Sequence, residues 1–234
     1  MSRFDGRRVF LTGAASGIGR ATFELFLAEC ADVVAVDLNE APGVLPCDIT
    51  DSEAVVDVVT SYGPFDVVLN VAGVTAVQHS LDVTREQWDR QLAVNLTAPF
   101  VIMQAALPGL IERKGNVVNV ASVGGVRGQA YTAAYCATKG GLVMLSKGLA
   151  LEYARRGVRI NCVCPGAVDT PLVHGVAATM PEGLNQRLME RVYGVLPPGA
   201  SQPAEIAEAI AYLASDAARS VTGAAFVIDG GVDC

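Results

Sequence analysis

Short runs of Val, Ile and Leu alternate along the chain with longer segments in which apolar residues recur at helical spacing. Strands buried on both faces form continuous apolar runs, and their alternation with helices is typical of β-α units in a parallel sheet. The predicted strands are Arg8–Thr12, Val33–Asp37, Val67–Val71, Asn116–Ala121, Ile160–Cys164 and Ala225–Ile228. The predicted helices are Gly17–Cys30, Ser52–Ser61, Arg85–Glu112, Tyr131–Arg156 and Pro203–Ser215. This pattern predicts an α/β fold: a doubly wound, Rossmann-like, mostly parallel sheet with helices on both faces.

One domain is expected over residues 1–234, because the chain contains no internal repeat and no Ser/Pro-rich linker. Asp51–Ser52 and Ser201–Gln202 are predicted helix starts, and the ring of Pro203 suits a first helical turn. Residues 171–198 mix Gly, Pro, Met and Leu and have no predicted element. Segments of this kind within a compact domain are usually functional, so we expect this stretch, named here the lid segment, to cover a substrate.

Composition and charge narrow the class of protein. Hydrophobic residues make up 51% of the chain and charged residues 18%, which excludes a disordered chain and a coiled coil. The net charge is −7 and the basic residues are scattered, which argues against nucleic acid and anionic membranes as partners. No segment approaches the ~18–20 unbroken apolar residues of a spanning helix, and the first apolar run is too short for a signal peptide. We therefore expect a cytoplasmic protein.

Cysteine and histidine usage gives no sign of a metal centre. The six cysteines contain no Cys-x-x-Cys pair and several lie in apolar runs, so free thiols are expected. The two histidines, His79 and His174, form no His-Glu-x-x-His motif. A catalytic transition metal is not expected.

A glycine-rich turn, Thr12-Gly-Ala-Ala-Ser-Gly-Ile-Gly19, joins the first predicted strand to the first predicted helix. Glycines let the backbone pass close to a pyrophosphate, whose charge is met by free N–H groups and by the helix dipole. The spacing is Gly-x-x-x-Gly-x-Gly and differs from the common Gly-x-Gly-x-x-Gly. Its position between strand and helix predicts nucleotide binding, with a purely structural turn as the alternative.

Asp37 closes the second predicted strand, 18 residues after Gly19. An acidic side chain at this distance meets the adenosine ribose 2′-hydroxyl in dinucleotide-binding folds. A 2′-phosphate there would be repelled, and Ser16 and Leu38 offer no cation to offset the repulsion. NAD is therefore predicted over NADP, and a solvated strand-end carboxylate is the alternative interpretation of Asp37.

Tyr135 and Lys139 lie four residues apart in a predicted helix and therefore share a face. An adjacent ammonium can stabilise a phenolate, so this pair could act as an acid/base, although the isolated spacing is weak. Ser122 follows the strand Asn116–Ala121 and would lie at the carboxyl edge of the sheet, where open α/β sheets bind ligands.

These motifs together resemble the short-chain dehydrogenase/reductase family over nearly the whole chain. They follow in the family's order as Thr12-Gly-x-x-x-Gly-x-Gly19, Asn70-Val-Ala-Gly73, Asn95, Ser122, Tyr135-x-x-x-Lys139 and Pro165-Gly166. The resemblance implies that Tyr135 is the acid/base at the substrate oxygen and that Ser122 polarises this oxygen. It also implies that Lys139 lowers the pKa of Tyr135 and holds the nicotinamide ribose, with Asn95 completing a proton relay to Lys139.

The resemblance implies a full set of cofactor contacts around NAD. These residues are Gly13, Ser16, Gly17, Ile18, Gly19, Asp37, Leu38, Asp48, Ile49, Asn70, Ala72, Gly73, Tyr135, Lys139, Pro165, Gly166, Val168 and Thr170. One departure is visible, since ten residues separate Asp37 from Asp48 and leave no room for the usual helix between the second and third strands. We expect a more open adenine pocket, which puts the role of Asp48 in doubt.

The leading hypothesis is an NAD(H)-dependent oxidoreductase that interconverts a secondary alcohol and a ketone. An NADPH-preferring 3-oxoacyl-thioester reductase of the same family is the main alternative, and Asp37 opposes it. A non-catalytic redox sensor would not need the Ser, Tyr and Lys set. An epimerase or dehydratase of the longer related branch needs a substrate domain, and only 68 residues follow Gly166.

The substrate itself is not specified by the sequence. The lid segment is apolar at Leu172, Val173, Val176, Met180, Leu184, Leu188, Met189, Val192 and Tyr193, which fits a ring or acyl substrate or packing on the sheet or on a neighbouring subunit. Arg127 could meet an anionic group, but a solvated loop arginine is the preferred interpretation, and His174 is expected on the lid surface.

Small residues on the predicted helix Tyr131–Arg156 permit close approach of another helix. They are Ala133, Ala134, Ala137, Gly140 and Gly141. The family resemblance implies a homotetramer, or else a dimer, built on the two long helices and on the strand Ala225–Ile228.

Overall fold

The computed structural model describes residues 2–178, 180–197 and 199–232, apart from the Val192 side chain. Within these residues, seven strands form one sheet in the order β3-β2-β1-β4-β5-β6-β7, and every neighbouring pair is parallel. The strands are β1 (Arg8–Thr12), β2 (Asp32–Asp37), β3 (Leu45–Pro46), β4 (Val67–Asn70), β5 (Asn116–Val120), β6 (Arg159–Pro165) and β7 (Ala225–Ile228). The predicted α/β, Rossmann-like fold is confirmed.

Helices cover both faces of the sheet. The α-helices in the described part of the chain are α1 (Gly17–Ala28), α2 (Ser52–Tyr62), α3 (Arg85–Leu92), α4 (Ala98–Arg113), α5 (Ala133–Tyr153), α6 (Pro171–Ala178), α7 (Gln186–Met189) and α8 (Pro203–Ala214). Helices α1 and α8 pack on one face, and α2, α4 and α5 pack on the other. From β1 the chain adds β2 and β3 toward one edge of the sheet, and then β4 to β7 toward the other edge. The connections after β1 and β4 therefore leave in opposite directions, which opens a crevice at the carboxyl ends of these two strands.

Each face has its own apolar core. On the α1 and α8 side, the rings of Phe4 and Phe26 stack with centroids 4.2 Å apart and are almost fully buried. On the other side, Phe10, Ile102 and Leu110 are fully buried against the sheet. Burying one such side chain stabilises the fold by about 1.5–3 kcal/mol, so the two cores hold the strand ends in fixed positions.

The predicted helix starts at Asp51 and Gln202 are confirmed. Asp51 is the N-cap of α2, and its carboxylate accepts hydrogen bonds from the backbone N–H groups of Glu53 and Ala54. Gln202 is the N-cap of α8, with Pro203 in the first turn. The Asp51 carboxylate satisfies N–H groups that α2 itself leaves without partners, and at α8 the Glu205 carboxylate accepts a hydrogen bond from Gln202 N at 2.6 Å.

Several boundaries differ from the predicted ones for a backbone reason. Tyr131 and Thr132 precede α5, because Tyr131 has a φ of +64°, which cannot continue a right-handed helix. Helix α1 ends at Ala28, and Cys30 has a φ of +61°. The predicted helix Arg85–Glu112 is α3 and α4 joined by a single π-helical turn at Ala93–Thr97.

Strand β3 and the elements within the lid segment were not predicted. Strand β3 is two residues long, and its pairing with β2 joins Val36 to Leu45 and Asp37 to Pro46. Residues 38–44 contain no helix, as expected from the short spacing between Asp37 and Asp48. The lid segment contains α6, α7 and a 3-10 turn at Glu190–Val192, while Thr179 and Pro198 lie outside the described residues.

Within the described residues, Arg85–Arg113 is the one helical stretch that is long and apolar enough to span a membrane by length and composition. Of its most apolar window, 44% is buried inside the fold. Ile102, Met103 and Leu110 in this stretch pack into the core.

The cysteines in the described part of the chain are free thiols, as predicted, and Cys234 lies outside it. Burial raises the pKa of Cys162 to about 11 and that of Cys164 to about 12, so both remain neutral thiols. The described residues contain no group of three or more His, Cys, Asp or Glu side chains that could hold a metal ion.

Candidate active site

The glycine-rich turn between β1 and α1 is a cradle in which side chains have no room. A Cβ atom on Gly19 would lie 1.8 Å from the carbonyl oxygen of Gly13, and one on Gly13 would lie 2.8 Å from Cα of Ala72. Gly13 also has a φ of +76°, which favours glycine. The hydroxyl of Thr12 accepts hydrogen bonds from the N–H groups of Val71 and Ala72 and so ties the cradle to the end of β4.

Asp37 lies at the carboxyl end of β2, beside this cradle. Its Oδ2 accepts a hydrogen bond from Ala15 N at 3.0 Å, and its Oδ1 accepts one from Asn39 N at 2.8 Å. These bonds fix the orientation of the carboxylate at the rim of the cleft. Leu38 follows with 65% of its surface exposed, consistent with the missing helix after β2.

Asp48 lies further along the same rim and is exposed. Its Oδ1 accepts hydrogen bonds from the Thr50 hydroxyl at 2.7 Å and from Thr50 N at 2.9 Å. These hydrogen bonds, and more weakly the charge of Arg90, lower the pKa of Asp48. Arg90 lines the cleft but was not singled out from the sequence, because no local motif relates a residue of α3 to Asp48.

Lys139 is almost completely buried, with 3% of its surface exposed. Its Nζ donates a hydrogen bond to the carbonyl oxygen of Val120 at 2.7 Å and lies 5.8 Å from the centre of the Tyr135 ring. Burial lowers the pKa of Lys139 to about 8. The ammonium form therefore still dominates at neutral pH.

Tyr135 and Ser122 face the same cleft as Lys139, as predicted. Burial raises the pKa of Tyr135 and outweighs the opposing hydrogen bond to Ser122, so the lowered pKa implied by the resemblance is not what this structure gives. Ser122 Oγ accepts a hydrogen bond from Gly124 N at 3.0 Å, which orients the hydroxyl and leaves its proton available.

Asn95 lies in the π-helical turn between α3 and α4 and is fully buried. Its Oδ1 accepts a hydrogen bond from Val74 N, and its Nδ2 donates to Val74 O and to Thr138 Oγ1. A Cβ on Gly73 would lie 3.3 Å from both Asn95 Oδ1 and Lys139 Nζ, so a larger residue here would crowd both side chains. Turns of this kind are frequent at functional sites.

The segment after β6 lines the cleft beside the cradle, since a Cβ on Gly17 would lie 3.2 Å from Cγ2 of Thr170. A Cβ on Gly166 would lie 2.8 Å from Cβ of Asp229, so the chain passes β7 closely here. Val168 forms a parallel bridge with Ser201, which holds the start of the lid segment beside the cleft.

A cleft of about 520 Å³ runs from the glycine cradle to Ser122 and Tyr135. Every predicted cofactor residue lines it except Asn70. The side chain of Asn70 is buried and donates a hydrogen bond to Asn119 Oδ1 at 2.7 Å, a contact between β4 and β5. Lining residues that were predicted neither to bind cofactor nor to act in catalysis are Asn39, Cys47, Val71, Val74, Arg90, Val94, Val120, Ala121, Pro171, Leu172 and Val173.

Two residues outside the cleft were assigned surface positions from the sequence. His174 is exposed, as predicted, and its Nε2 lies 2.8 Å from Asp169 Oδ1. The preferred interpretation of Arg127 as a solvated loop residue is wrong, because its guanidinium donates hydrogen bonds to the carbonyl oxygens of Arg191 and Val232. These partners are distant in sequence, which explains why local pattern did not reveal them.

Comparison with known proteins agrees with this architecture. A family model described as enoyl-(acyl carrier protein) reductase matches residues 13–233. The chain is 37% identical over 252 residues to a 3-oxoacyl-(acyl-carrier-protein) reductase FabG of Thermotoga maritima, covering 98% of this chain and 99% of the relative. It is 36% identical over 247 residues to a meso-2,3-butanediol dehydrogenase of Serratia marcescens, covering 98% of this chain and 95% of the relative.

A crystal structure of a short chain dehydrogenase from Mycobacterium paratuberculosis bound to NAD superimposes with a TM-score of 0.87 at 28% identity, covering 98% of each chain. The family model and these relatives span the cradle, the Ser122 turn and the helix of Tyr135 and Lys139. On these grounds, the chain belongs to the short-chain dehydrogenase/reductase family.

Proposed function

We propose that the protein is an NAD(H)-dependent oxidoreductase that interconverts a secondary alcohol and a ketone. The observation that carries this proposal is the convergence of Ser122, Tyr135 and Lys139 on a cleft that begins at the glycine cradle. A dinucleotide held along this cleft would place its nicotinamide end beside these three side chains.

The residues around the cleft fit NAD. The cradle is formed by glycines, and a Cβ on Gly19 would collide with the backbone, so the chain can pass close to a pyrophosphate. Helix α1 begins in the cradle, and its first N–H groups could bind the pyrophosphate oxygens. Asp37 is fixed at the rim, where a carboxylate would accept a hydrogen bond from a ribose 2′-hydroxyl and repel a 2′-phosphate. Once bound, the nicotinamide would supply or accept the hydride.

The chain's own groups would handle the proton at the substrate oxygen. Tyr135 would donate a proton to this oxygen during reduction and accept it during oxidation. Ser122, whose Oγ already accepts a bond from Gly124 N, would donate a hydrogen bond to the same oxygen. Lys139 uses one N–H on Val120 O and keeps two for a ribose and for stabilising a phenolate on Tyr135. Asn95 would support this group through Val74 and Thr138.

The lid segment would cover the substrate. Leu172 and Val173 line the cleft directly after Thr170, so the first turn of α6 borders the space beside Tyr135. Apolar side chains at this position would exclude water from the reacting carbon and favour a hydrocarbon part of the substrate.

An NADPH-preferring 3-oxoacyl-thioester reductase is the second candidate. The similarity to a protein named 3-oxoacyl-(acyl-carrier-protein) reductase favours it. The position of Asp37 opposes a 2′-phosphate, so binding titrations with NADH and NADPH separate the two candidates. Clearly tighter binding of NADPH would favour the reductase.

The reaction class is tested by NADH formation, measured by absorbance with NAD or NADP over a panel of cyclic, steroidal and 3-hydroxyacyl alcohols. Turnover with NAD should fall by orders of magnitude in Tyr135→Phe, because the phenylalanine cannot transfer the proton. NADH affinity should remain near that of the wild type. Full activity of Tyr135→Phe would overturn the proposed role.

A homotetramer, or a dimer, is also proposed. One face of α5 carries an apolar and small-residue stripe at Ala137, Gly141, Met144, Gly148 and Leu151. Met144 is 65% exposed and Leu151 83% exposed, and the spacing of four and three residues suits packing against a second helix. A cytoplasmic location stays a prediction that cell fractionation would test.

A further inference from the structure

Residues 126–132 connect the two side chains that would act on the substrate oxygen. This linking segment runs from the 3-10 turn Val123–Gly125, which follows Ser122, to the first residue of α5, two positions before Tyr135. Its first end is fixed, because the N–H groups of Val126 and Arg127 both bond Val123 O. Any displacement of the linking segment would therefore reach Ser122 at one end and Tyr135 at the other.

Tyr131 joins the linking segment to the lid segment. Its hydroxyl accepts a hydrogen bond from the backbone N–H of Asn185 at 3.0 Å, just before α7. Its carbonyl oxygen accepts a hydrogen bond from Gln78 N at 2.8 Å. Its ring lies nearly perpendicular to the His79 ring, with the two centroids 5.2 Å apart. A tyrosine at a φ of +64° is uncommon and costly, and these contacts are what hold it there.

Arg127 forms a second connection between the same two segments. Its Nη2 donates a hydrogen bond to Arg191 O at 2.8 Å, in the 3-10 turn that follows α7. Its Nη1 donates to Val232 O, close to the described end of the chain. The planar guanidinium thus bonds two backbone segments through two separate nitrogens, whereas a lysine carries all of its donors on one nitrogen.

We propose that Tyr131 and Arg127 are positioning residues that couple closure of the lid segment to the alignment of Ser122 and Tyr135. The inference rests on the proposed function. A lid segment held over the substrate makes both hydrogen bonds, and the linking segment then sets the separation of the two reacting side chains. A lid segment that moves away loses both bonds and releases this constraint.

The test compares Tyr131→Phe and Arg127→Lys with the wild type in steady-state kinetics, using an alcohol that the wild type oxidises with NAD. Tyr131→Phe should raise KM about five-fold through the lost hydrogen bond and lower kcat about ten-fold through misalignment. Arg127→Lys should likewise raise KM and lower kcat. The double variant should lose less than the product of the two single effects, because both residues hold one element.

Two further measurements separate this role from a purely structural one. NADH affinity should stay at the wild-type value in both variants, while amide hydrogen exchange at Asn185 should accelerate in Tyr131→Phe. Tyr62→Phe, which alters a half-exposed tyrosine on α2, is the matched control and should change none of these quantities.

An unchanged kcat in Tyr131→Phe and Arg127→Lys, or unchanged exchange at Asn185, would overturn the inference while leaving the proposed function intact. If the wild type oxidises no alcohol and reduces no ketone, the proposed function fails, and the inference fails with it.

Discussion

At the scale of the residue, Lys139 shows how function and stability conflict. Its ammonium group is buried and has one hydrogen bond to Val120 O, so burial lowers its pKa to about 8. A buried charge destabilises the fold, yet this charge is the group that would hold a ribose and support a phenolate on Tyr135.

The burial of Lys139 predicts a pH-dependent stability. Folded Lys139 loses its proton near pH 8, whereas the unfolded chain keeps it to about 10.5. The unfolded state therefore binds more protons in this window, and the free energy of unfolding of the wild type should rise with pH relative to Lys139→Met, by at most about 1.4 kcal/mol per pH unit.

Urea unfolding of the wild type and Lys139→Met at pH 7, 9 and 10.5 measures this effect. Lys147→Met, which removes an exposed lysine from the same helix, controls for the change in net charge. Parallel pH profiles of the wild type and Lys139→Met would contradict the burial argument.

Asp37 predicts the choice between the two dinucleotides. Asp37→Ser removes the negative charge that would repel a 2′-phosphate, so the ratio of NADP to NAD affinity should rise by at least about ten-fold. Fluorescence titration with NADH and NADPH gives the ratio. Asp32→Ser, at the other end of β2, should leave it unchanged, and an unchanged ratio in Asp37→Ser would mean that Asp37 does not face the ribose.

At the scale of the element, the N-cap of α2 supports the rim of the cleft. Asp51 N donates a hydrogen bond to Asp48 O, and the Asp51 carboxylate accepts bonds from the first turn of the helix. Asp51→Ala should therefore lower the free energy of unfolding by about 1 kcal/mol. Asp57→Ala, in the exposed middle of the same helix, should have a much smaller effect, and equal losses by chemical denaturation would contradict the cap.

Elements that depend on local pattern were predictable from the sequence. The cradle of Gly13–Gly19 and the shared face of Tyr135 and Lys139 follow from residue spacing within one strand-turn-helix unit or one helix. The absence of a helix after Asp37 was also predictable, because it follows from the ten-residue length of the segment between Asp37 and Asp48.

Features that depend on distant partners could not be predicted. Strand β3 has two residues and no periodicity, and it exists because Leu45 and Pro46 reach the edge of β2. The start of α5 was misplaced because Tyr131 adopts a left-handed backbone held by Gln78 and Asn185. Asn70 was expected beside the cofactor from the family resemblance, but it does not line the cleft, and its side chain donates a hydrogen bond to Asn119 on the neighbouring strand.

At the scale of the whole molecule, the exposed stripe on α5 predicts assembly. Leu151→Glu places a charge within the proposed helix contact, at the most exposed residue of the stripe, so the protein should dissociate to smaller species in sedimentation velocity. Leu27→Glu, which changes a half-exposed leucine on α1, should leave the assembly intact. A stable wild-type monomer would contradict the proposed oligomer.

The two-residue length of β3 also bears on the solubility of the protein. Open sheet edges are templates on which strands of other molecules add and start aggregation. At this edge the template is only Leu45 and Pro46, and Pro46 has no N–H group to donate. The short connection between β2 and β3 therefore gives the sheet an edge that resists strand addition.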